Sequence, residues 1–305
     1  MKVAIAGGSG FVGKAITKEL LANNHDIYIL TRDKSRMKHH QKITYIQWLN
    51  TGDNPESELN GVDVIINLAG ESLNSGRWTA SRKKSILESR LQATTEIKRI
   101  INSMTTKPHT LLNASAIGYY GTSDTNVFTE EDIISPTDFL SDTVHQWEQQ
   151  AMQVETYGVR IVCMRFGVIL GKEDGALPRM LLPYKLFVGG TVGSGKQWLS
   201  WIHIKDVVKA ALFCINNTLI HGAVNFTSPH PETMKTFGQT IAFVMHRSHW
   251  VPAPAPILQL ALGEMSILVL KGQKVLPTIL EQHGYNFYFP TLQEALQDLS
   301  HSNWH

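Results

Sequence analysis

The sequence predicts an α/β fold in which a doubly wound parallel sheet is followed by a smaller, mostly helical carboxy-terminal lobe. Three observations predict this fold. The spacing of apolar residues switches repeatedly between the period of a strand and the period of a helix. The predicted strands are short and apolar, as expected when both faces of a sheet are covered. Their alternation with helices implies a parallel sheet, because right-handed crossovers put helices on both of its faces.

Seven apolar runs are predicted as strands, at residues 3–6, 27–30, 44–48, 62–68, 111–114, 159–165 and 224–227. Apolar residues at helical spacing predict one helix directly after the first glycine turn and others at 81–104, at 141–155 and from Asp206 onward. Past Gly167 the alternation stops, and two glycine clusters precede an extended segment at 198–204.

These elements divide the chain into two predicted parts. Residues 1–227 form the sheet domain, with inserted loops at about 168–200 that contribute to the substrate lobe. Residues 228–305 form the carboxy-terminal substrate lobe, which is mostly helical and punctuated by prolines. The series Pro252, Pro254 and Pro256 predicts a stiff extended stretch that marks a seam between the two.

Composition argues against several classes of partner. At 43% hydrophobic and 18% charged residues, the 305-residue chain has the profile of a globular protein. The net charge of +2 without a dense Lys/Arg run predicts neither a nucleic-acid partner nor a membrane partner. No apolar stretch approaches the roughly 18 residues that span a bilayer. The 13 histidines show no metal-ligand spacing, so we predict no metal site.

The two cysteines indicate the compartment. Cys163 and Cys214 each lie inside an apolar run, which is typical of reduced core residues rather than a disulfide. The first strand begins at Lys2, so we expect no signal peptide. We expect the protein to be cytoplasmic.

The strongest motif is Gly7-Gly8-Ser9-Gly10-Phe11-Val12-Gly13, a G-x-x-G-x-x-G loop between the first strand and the first helix. Gly7 permits a tight turn, Gly10 lets the backbone approach a pyrophosphate, and Gly13 allows close packing of the helix. Phosphates bind at a helix amino terminus because its N–H groups are unpaired and its dipole favours negative charge. This context predicts a Rossmann-type dinucleotide site formed by Gly7, Ser9, Gly10, Phe11, Val12 and Gly13.

The end of the second strand distinguishes NAD from NADP. An NAD site usually ends this strand with an acidic residue that binds the ribose 2′-hydroxyl. Here the strand ends at Thr31-Arg32, and Arg32 is placed to pair with a 2′-phosphate, with Lys34 or Arg36 as possible helpers. A solvated basic turn is the alternative. We therefore favour NADP(H) over NAD(H).

Further segments resemble the extended, epimerase-like branch of the short-chain dehydrogenase/reductase superfamily. Asn67-Leu68-Ala69-Gly70 matches the N-x-A-G/A element, which implies that Leu68, Ala69 and Gly70 contact the cofactor. The resemblance also places Arg90 and Phe166 at the cofactor, through Arg90–Thr94 at the N-x-x-G-T position and Arg165–Gly171 at the R-x-x-x-V-x-G position. Trp201–Val207 is similar to the F-V-H-V-x-D-V element.

A narrower resemblance is to the subgroup called "epimerase family protein". It is carried by a set of segments spread along the chain: Ala69–Glu71, Ser115–Gly121, Gly193–Gly195 with Trp201–His203, and Gly272–Pro277 with Gly284-Tyr285. The resemblance implies a nicotinamide cofactor, a small polar or sugar-like substrate, and a homodimer formed through the long helices. It does not establish epimerase activity.

The family's catalytic residues are only partly present. Its enzymes use a serine or threonine, and a Tyr-x-x-x-Lys pair that moves the proton. Ser115 matches the serine, but when Glu148 is aligned with the glutamate that commonly follows the pair, Leu140 replaces the tyrosine and Val144 the lysine. Tyr119 or Tyr120, just past Ser115, could act as the acid or base, and we favour Tyr119. Packing of both tyrosines against the pocket is the alternative.

Three other residues are weaker pocket candidates. Glu71 and Lys83 have surface roles as alternatives, and His203 is equally well explained as a core histidine. The stretch Gly190–Lys196 fits G-x-x-x-x-G-K, but Gln197 follows where a P-loop has Ser or Thr. A substrate-lobe loop is the better interpretation of that stretch.

The sequence therefore favours two functions over a purely structural module with an empty pocket. One is an NADP(H)-dependent oxidoreductase or epimerase that acts on a small polar substrate through Ser115 and Tyr119. The other is an NADP(H)-binding sensor or regulatory protein without turnover, because the Tyr-x-x-x-Lys pair is missing.

Overall fold

A computed structural model describes residues 1–37 and 39–300. The side chain of Arg36, a predicted helper of Arg32, lies outside the described part, as do residues 301–305 of the predicted carboxy-terminal lobe. The described strands are β1 (Lys2–Ala6), β2 (Asp26–Thr31), β3 (Ile43–Gln47), β4 (Val64–Asn67), β5 (Thr110–Ala116), β6 (Val127–Phe128), β7 (Arg160–Phe166), β8 (Val168–Leu170), β9 (Trp198–Leu199), β10 (Trp201–His203), β11 (Gly222–Phe226), β12 (Glu232–Thr233) and β13 (Lys274–Val275).

The described α-helices are α1 (Phe11–Ala22), α2 (Pro55–Leu59), α3 (Ala80–Ser103), α4 (Phe139–Met152), α5 (Leu177–Lys185), α6 (Ile204–Asn216), α7 (Met234–Met245), α8 (Ala255–Leu262), α9 (Ile267–Leu270), α10 (Thr278–Gln282) and α11 (Leu292–Ser300). Among the described helices, none is long and apolar enough to cross a membrane.

Seven strands form one parallel sheet in the order β11-β7-β5-β4-β1-β2-β3. The predicted α/β fold class is therefore confirmed, and all seven predicted strands belong to this sheet. Strand order reverses beside β1, so the loops after β1 and β4 open a crevice at the carboxyl ends of the strands. This crevice is where ligands bind in open α/β sheets.

Apolar packing covers both sheet faces and extends into the carboxy-terminal part. The cluster on one face includes residues of α1 and α6 such as Ile16 and Val207. The cluster on the opposite face includes Ile97 and Ile100 of α3. A third cluster joins α5, α7 and α11 with Trp201. Leu280 and Tyr285 pack into the first cluster, so the carboxy-terminal residues are integrated with the sheet. The boundary near residue 227 stays a prediction.

Candidate functional site

A cavity of about 480 Å³ lies at the carboxyl ends of the central strands. Its walls come from the loop after β1, the ends of β5 and β7, one side of α4, and residues 267–273. Most of the lining is apolar, with a few polar groups among them that include Ser115, Arg90 and Gln273. Both halves of the chain therefore enclose one site, as binding pockets of α/β proteins commonly do.

The glycine loop forms a cradle without side chains at the amino terminus of α1. Gly7 has a φ of +79°, and a Cβ there would lie 2.8 Å from the carbonyl of Leu68. A Cβ at Gly13 would overlap the Gly7 carbonyl oxygen and the Gly8 backbone. Gly10 caps α1 without a side-chain hydrogen bond, so the first-turn amides are open to a ligand. The cradle fits the diphosphate of a dinucleotide.

The end of β2 presents Arg32 beside this loop. Thr31 is partly buried, and its hydroxyl is near the Asp33 backbone; Arg32 is exposed. Asn50 Nδ2 donates to the Arg32 carbonyl at 3.1 Å, which anchors the backbone at this position. Lys34 lies 3.5 Å from the Glu58 carboxylate, so this predicted helper has an acidic partner of its own.

The segment after β4 is anchored by hydrogen bonds of the Asn67 side chain. Asn67 Nδ2 donates to Asn113 Oδ1 at 2.7 Å and to Thr94 Oγ1 at 3.2 Å, and Asn67 Oδ1 accepts from the Ala69 amide. These bonds tie the Leu68–Gly70 turn to β5 and α3. Leu68 lines the cavity.

Arg90 of α3 closes the same side of the cavity. Its Nη1 donates to the carbonyls of Ile86 at 2.8 Å and Glu71 at 3.1 Å, and its guanidinium lies 5.2 Å from the Trp147 ring centroid. Burial, together with nearby Arg82, lowers the pKa of Arg90 to about 10. The group thus stays a cation at neutral pH and is held in place by backbone carbonyls.

A buried hydrogen-bonded chain starts at Ser115 at the end of β5. Ser115 Oγ donates to Glu148 Oε1 at 2.5 Å. Arg165 of β7 donates two hydrogen bonds to the same carboxylate, from Nε to Oε1 at 2.9 Å and from Nη2 to Oε2 at 2.8 Å. All three residues are less than 9% exposed. Although burial alone would lower the pKa of Arg165, its bonds to Glu148 raise that pKa above the usual value.

The hydrogen-bond network extends from Arg165 to Tyr120, and the neighbouring Tyr119 stacks on Arg165. Arg165 Nη1 donates to Tyr120 OH at 2.9 Å, and that hydroxyl donates to Asn225 Oδ1 at 2.8 Å. Burial raises the pKa of Tyr120 to about 12, so it stays a neutral phenol at physiological pH. The Tyr119 ring is stacked between the Arg165 guanidinium, 3.5 Å from its centroid, and the His145 ring at 4.0 Å.

Apolar side chains occupy the α4 wall of the cavity, where the family resemblance implies an acid–base pair. Leu140 and Val144, one turn apart on α4, both line the cavity. A Cβ built on Gly118 would lie 3.7 Å from Leu140 and 3.8 Å from Val144, so both pack against the loop after Ser115. Neither side chain can transfer a proton.

The carboxy-terminal residues complete the cavity through close backbone packing. Gln273 Nε2 donates to the Ile117 carbonyl at 3.0 Å, and Ser200 Oγ bridges the Gln273 carbonyl and the Val275 amide at 2.9 Å each. A Cβ on Gly272 would overlap the Trp198 carbonyl oxygen. Lys271 also lines the cavity and adds a cation to this wall.

The three weaker pocket candidates all have structural partners. Glu71 pairs with Arg82, and Lys83 Nζ lies 2.8 Å from Glu264 Oε2, which links α3 to the carboxy-terminal part. His203 is buried and caps α6 by accepting from the Lys205 amide, and its Nε2 lies 3.3 Å from Asp298 Oδ2. Burial lowers its pKa to about 4. None of the three lines the described cavity.

The P-loop-like stretch is a turn without a following helix. Gly193 and Gly195 have positive φ values, and Gly190 packs against the Val251 backbone. Strand β9 follows at Trp198, so no helix amino terminus stands over a phosphate.

The predicted site residues separate into two groups. The described cavity brings together Ser115 with the predicted cofactor residues Gly7, Gly10, Phe11, Val12, Gly13, Leu68, Arg90 and Phe166. Residues of the second group do not line it: Ser9, Thr31, Arg32, Ala69, Gly70 and Tyr119. The catalytic role of Tyr119 stays a prediction. In the part of the chain that the structure describes, no cluster of three metal-ligating side chains occurs.

Sequence reasoning missed the Glu148–Arg165 pair. The available signal was Arg165 itself, a charge inside an otherwise apolar strand, which requires a buried partner. In the sequence, Glu148 served only to locate the positions of the missing Tyr-x-x-x-Lys pair.

Comparison with known proteins gives two family matches. Residues 3–225 match the "NAD dependent epimerase/dehydratase family", and residues 253–299 match a "Domain of unknown function (DUF1731)". Among curated proteins, the chain is 48% identical to "Epimerase family protein YfhF" of Bacillus subtilis, over 98% of each chain. It is 46% identical to "Epimerase family protein SSP1921" of Staphylococcus saprophyticus, over 97% of this chain and 98% of that one.

Solved structures that superpose on nearly the whole of this chain include the following two. Human epimerase family protein SDR39U1 (isoform 2), crystallised with NADPH, superposes with a TM-score of 0.89 at 31% identity, covering 99% of this chain and 100% of that one. A nucleoside-diphosphate sugar epimerase from Corynebacterium glutamicum gives a TM-score of 0.77 at 28% identity. The match covers 97% of this chain and 57% of the Corynebacterium chain.

Proposed function

Since this chain belongs to the NAD-dependent epimerase/dehydratase family, we propose that it is an NADP(H)-binding oxidoreductase or epimerase that acts on a small polar substrate. The observation that carries the proposal is the single cavity that joins the glycine cradle to Ser115. The cytoplasm is the proposed location, because Cys163 and Cys214 are buried free thiols.

The proposed cofactor position follows from the cradle. The diphosphate would bind at the first-turn amides of α1, where Gly7, Gly10 and Gly13 leave space for it. Leu68 and Arg90 line the cavity on the side of β4 and Phe166 lines it at the end of β7, so these three residues would hold the rest of the cofactor. When bound, the cofactor supplies or accepts a hydride.

NADP(H) is preferred in this proposal because of the end of β2. Thr31 and Arg32 stand where NAD-binding proteins have an acidic residue, and a guanidinium matches a phosphate with two parallel hydrogen bonds. The human relative crystallised with NADPH supports the same choice. Other structures of this fold contain NAD, and a comparison of NADPH with NADH affinity distinguishes the two cofactors.

The substrate end is proposed to use Ser115 and Glu148 for proton transfer. Ser115 Oγ accepts the proton of a substrate hydroxyl while its own proton passes to Glu148 Oε1, which lies 2.5 Å away. Arg165 holds the carboxylate in the orientation that receives this proton. When a carbonyl is reduced, the protons move in the opposite direction: Ser115 donates its proton to the substrate oxygen, and Glu148 donates a proton to Ser115.

Tyr119 remains the rival acid–base residue. The test is NADPH oxidation, followed by absorbance, with a panel of small carbonyl compounds and three variants. Ser115→Ala and Glu148→Gln should abolish turnover while leaving NADPH affinity within about twofold, whereas Tyr119→Phe should retain most of the activity. If only Tyr119→Phe lost activity, Tyr119 would be the residue that transfers the proton.

A second candidate function is an NADP(H)-binding sensor or regulatory protein. The observation that favours it is the apolar pair Leu140 and Val144 in the cavity wall. A sensor binds NADPH with the same affinity but oxidises it with no member of the carbonyl panel. Turnover that depends on Ser115 excludes this candidate.

A further inference from the structure

A group of large apolar side chains is exposed at the end of α5, away from the cavity. Leu182, Leu186, Phe187, Val188 and Trp250 are 54%, 61%, 61%, 47% and 69% exposed. We call these five residues the α5 face. Single exposed apolar residues are common, but several together mark an interaction site.

The α5 face is one continuous surface. Trp250 Nε1 donates to the Phe187 carbonyl at 3.1 Å, and the Trp250 amide donates to the Gly189 carbonyl at 2.9 Å. Leu182 and Leu186 are one turn apart and therefore share a side of the helix end. These contacts place the indole beside the α5 terminus.

The backbone at Phe187 is strained. Its φ is +61°, a left-handed value that is rare for a bulky side chain. Such strain persists only where the surrounding structure enforces it. The hydrogen bond from Trp250 is part of that enforcement, and the outcome is a phenylalanine ring turned toward solvent.

Three cations lie on or beside the α5 face. Arg179 and Lys185 are exposed on α5, and the Arg247 guanidinium lies 4.5 Å from the Phe187 ring centroid. None of the three forms an ion pair with Asp or Glu among the described residues. The two stretches that build this surface, 175–205 and 233–263, contain no Asp or Glu at all.

This charge distribution disfavours a second copy of the chain as the occupant. A twofold interface brings the same patch of both subunits together, so the cations of one copy would face those of the other. An anionic surface instead complements them. Leu, Phe and Trp side chains among Lys and Arg are the composition of protein surfaces that lie in a lipid headgroup layer.

We propose that the α5 face binds the surface of a membrane containing anionic lipids. The five apolar side chains enter the headgroup region, and Arg179, Lys185 and Arg247 pair with lipid phosphates. The small net charge of the chain led to the opposite expectation, because an average over 305 residues does not report a local cluster. This proposal is independent of the reaction at Ser115.

Co-sedimentation with vesicles tests the proposal on the full-length protein. Phosphatidylcholine vesicles with phosphatidylglycerol should bind the protein, and pure phosphatidylcholine vesicles should bind it much less. Phe187→Ser combined with Trp250→Ser should weaken binding at least about tenfold, because both rings leave the headgroup region. Arg179→Glu with Lys185→Glu should remove the preference for anionic vesicles and keep weak binding to both kinds.

Leu219→Ser is the matched control, since Leu219 is 75% exposed and lies outside the α5 face. Its vesicle binding should equal that of the wild type, and thermal melting should confirm that each variant is folded. Absence of vesicle binding, or binding that survives Phe187→Ser with Trp250→Ser, overturns the proposal. Sedimentation equilibrium that shows a dimer dissociated by Trp250→Ser would also overturn it, in favour of a second copy.

Discussion

Ser115 Oγ and Glu148 Oε1 are 2.5 Å apart in a buried site, and the same carboxylate oxygen accepts a hydrogen bond from Arg165 Nε. The three residues come from β5, α4 and β7, so the contact ties a helix to two strands beneath the cavity. It supports the packing of α4 on the carboxyl ends of these two interior strands and provides the only described carboxylate in hydrogen-bond contact with Ser115.

Glu148→Gln should destabilise the protein because it leaves the buried Arg165 guanidinium without its counter-charge. Breaking a buried pair in this way costs about 3 to 5 kcal/mol. Urea unfolding followed by fluorescence measures the change. Glu88→Gln is the control, since its pair with Lys84 is exposed and should contribute less than about 0.5 kcal/mol. Equal losses in both variants would contradict the buried-pair argument.

Gly13→Ala should abolish dinucleotide binding. The added Cβ overlaps the Gly7 carbonyl and the Gly8 backbone, so the amino terminus of α1 must move away from the loop. The control is Gly61→Ala, which meets no atom within 4 Å but has a φ of +78°. It should cost about 1 kcal/mol of stability and leave NADPH affinity unchanged. Wild-type affinity in Gly13→Ala would refute the cradle.

His203 should make stability fall with acidification. Its pKa is about 4 when folded, against about 6.5 when unfolded, so the unfolded chain binds the additional proton between these values. The free energy of unfolding that depends on neutral His203 is therefore fully present above pH 6.5. It falls by about 2 to 3 kcal/mol as the pH falls toward 4.

His203→Asn isolates this effect, because asparagine can still cap α6 but does not titrate. Urea unfolding between pH 7.5 and pH 4.5 measures both proteins. The wild type should lose more stability than the variant across this range. Parallel pH profiles would show that His203 does not titrate as its burial requires.

Local sequence signals were sufficient for the sheet and the glycine loop. The apolar run that contains Val64–Asn67 predicted a strand covered on both faces, and the roles of Gly7 and Gly13 followed from the strand–loop–helix motif around them. The edge strand β11 was found in the same way, from the run at Val224.

Contacts between distant residues could not be predicted from the sequence. Glu148 and Arg165 meet only because α4 packs beside β5 and β7, and no spacing in the sequence encodes that packing. Gln273 reaches Ile117 across 156 residues in the same way. The stacking of Tyr119 between Arg165 and His145 depends on the loop conformation after β5, which the residue types alone leave undetermined.

The proposed NADP(H) site combines the glycine cradle with Arg32, which selects the phosphorylated dinucleotide. Fluorescence titration of the wild type and Arg32→Ala with NADPH and with NADH measures this selection. The wild type should bind NADPH more tightly, and Arg32→Ala should weaken NADPH binding about tenfold or more while changing NADH binding less than about twofold. Equal losses of affinity for both dinucleotides, or tighter binding of NADH by the wild type, would show that Arg32 does not select NADP(H).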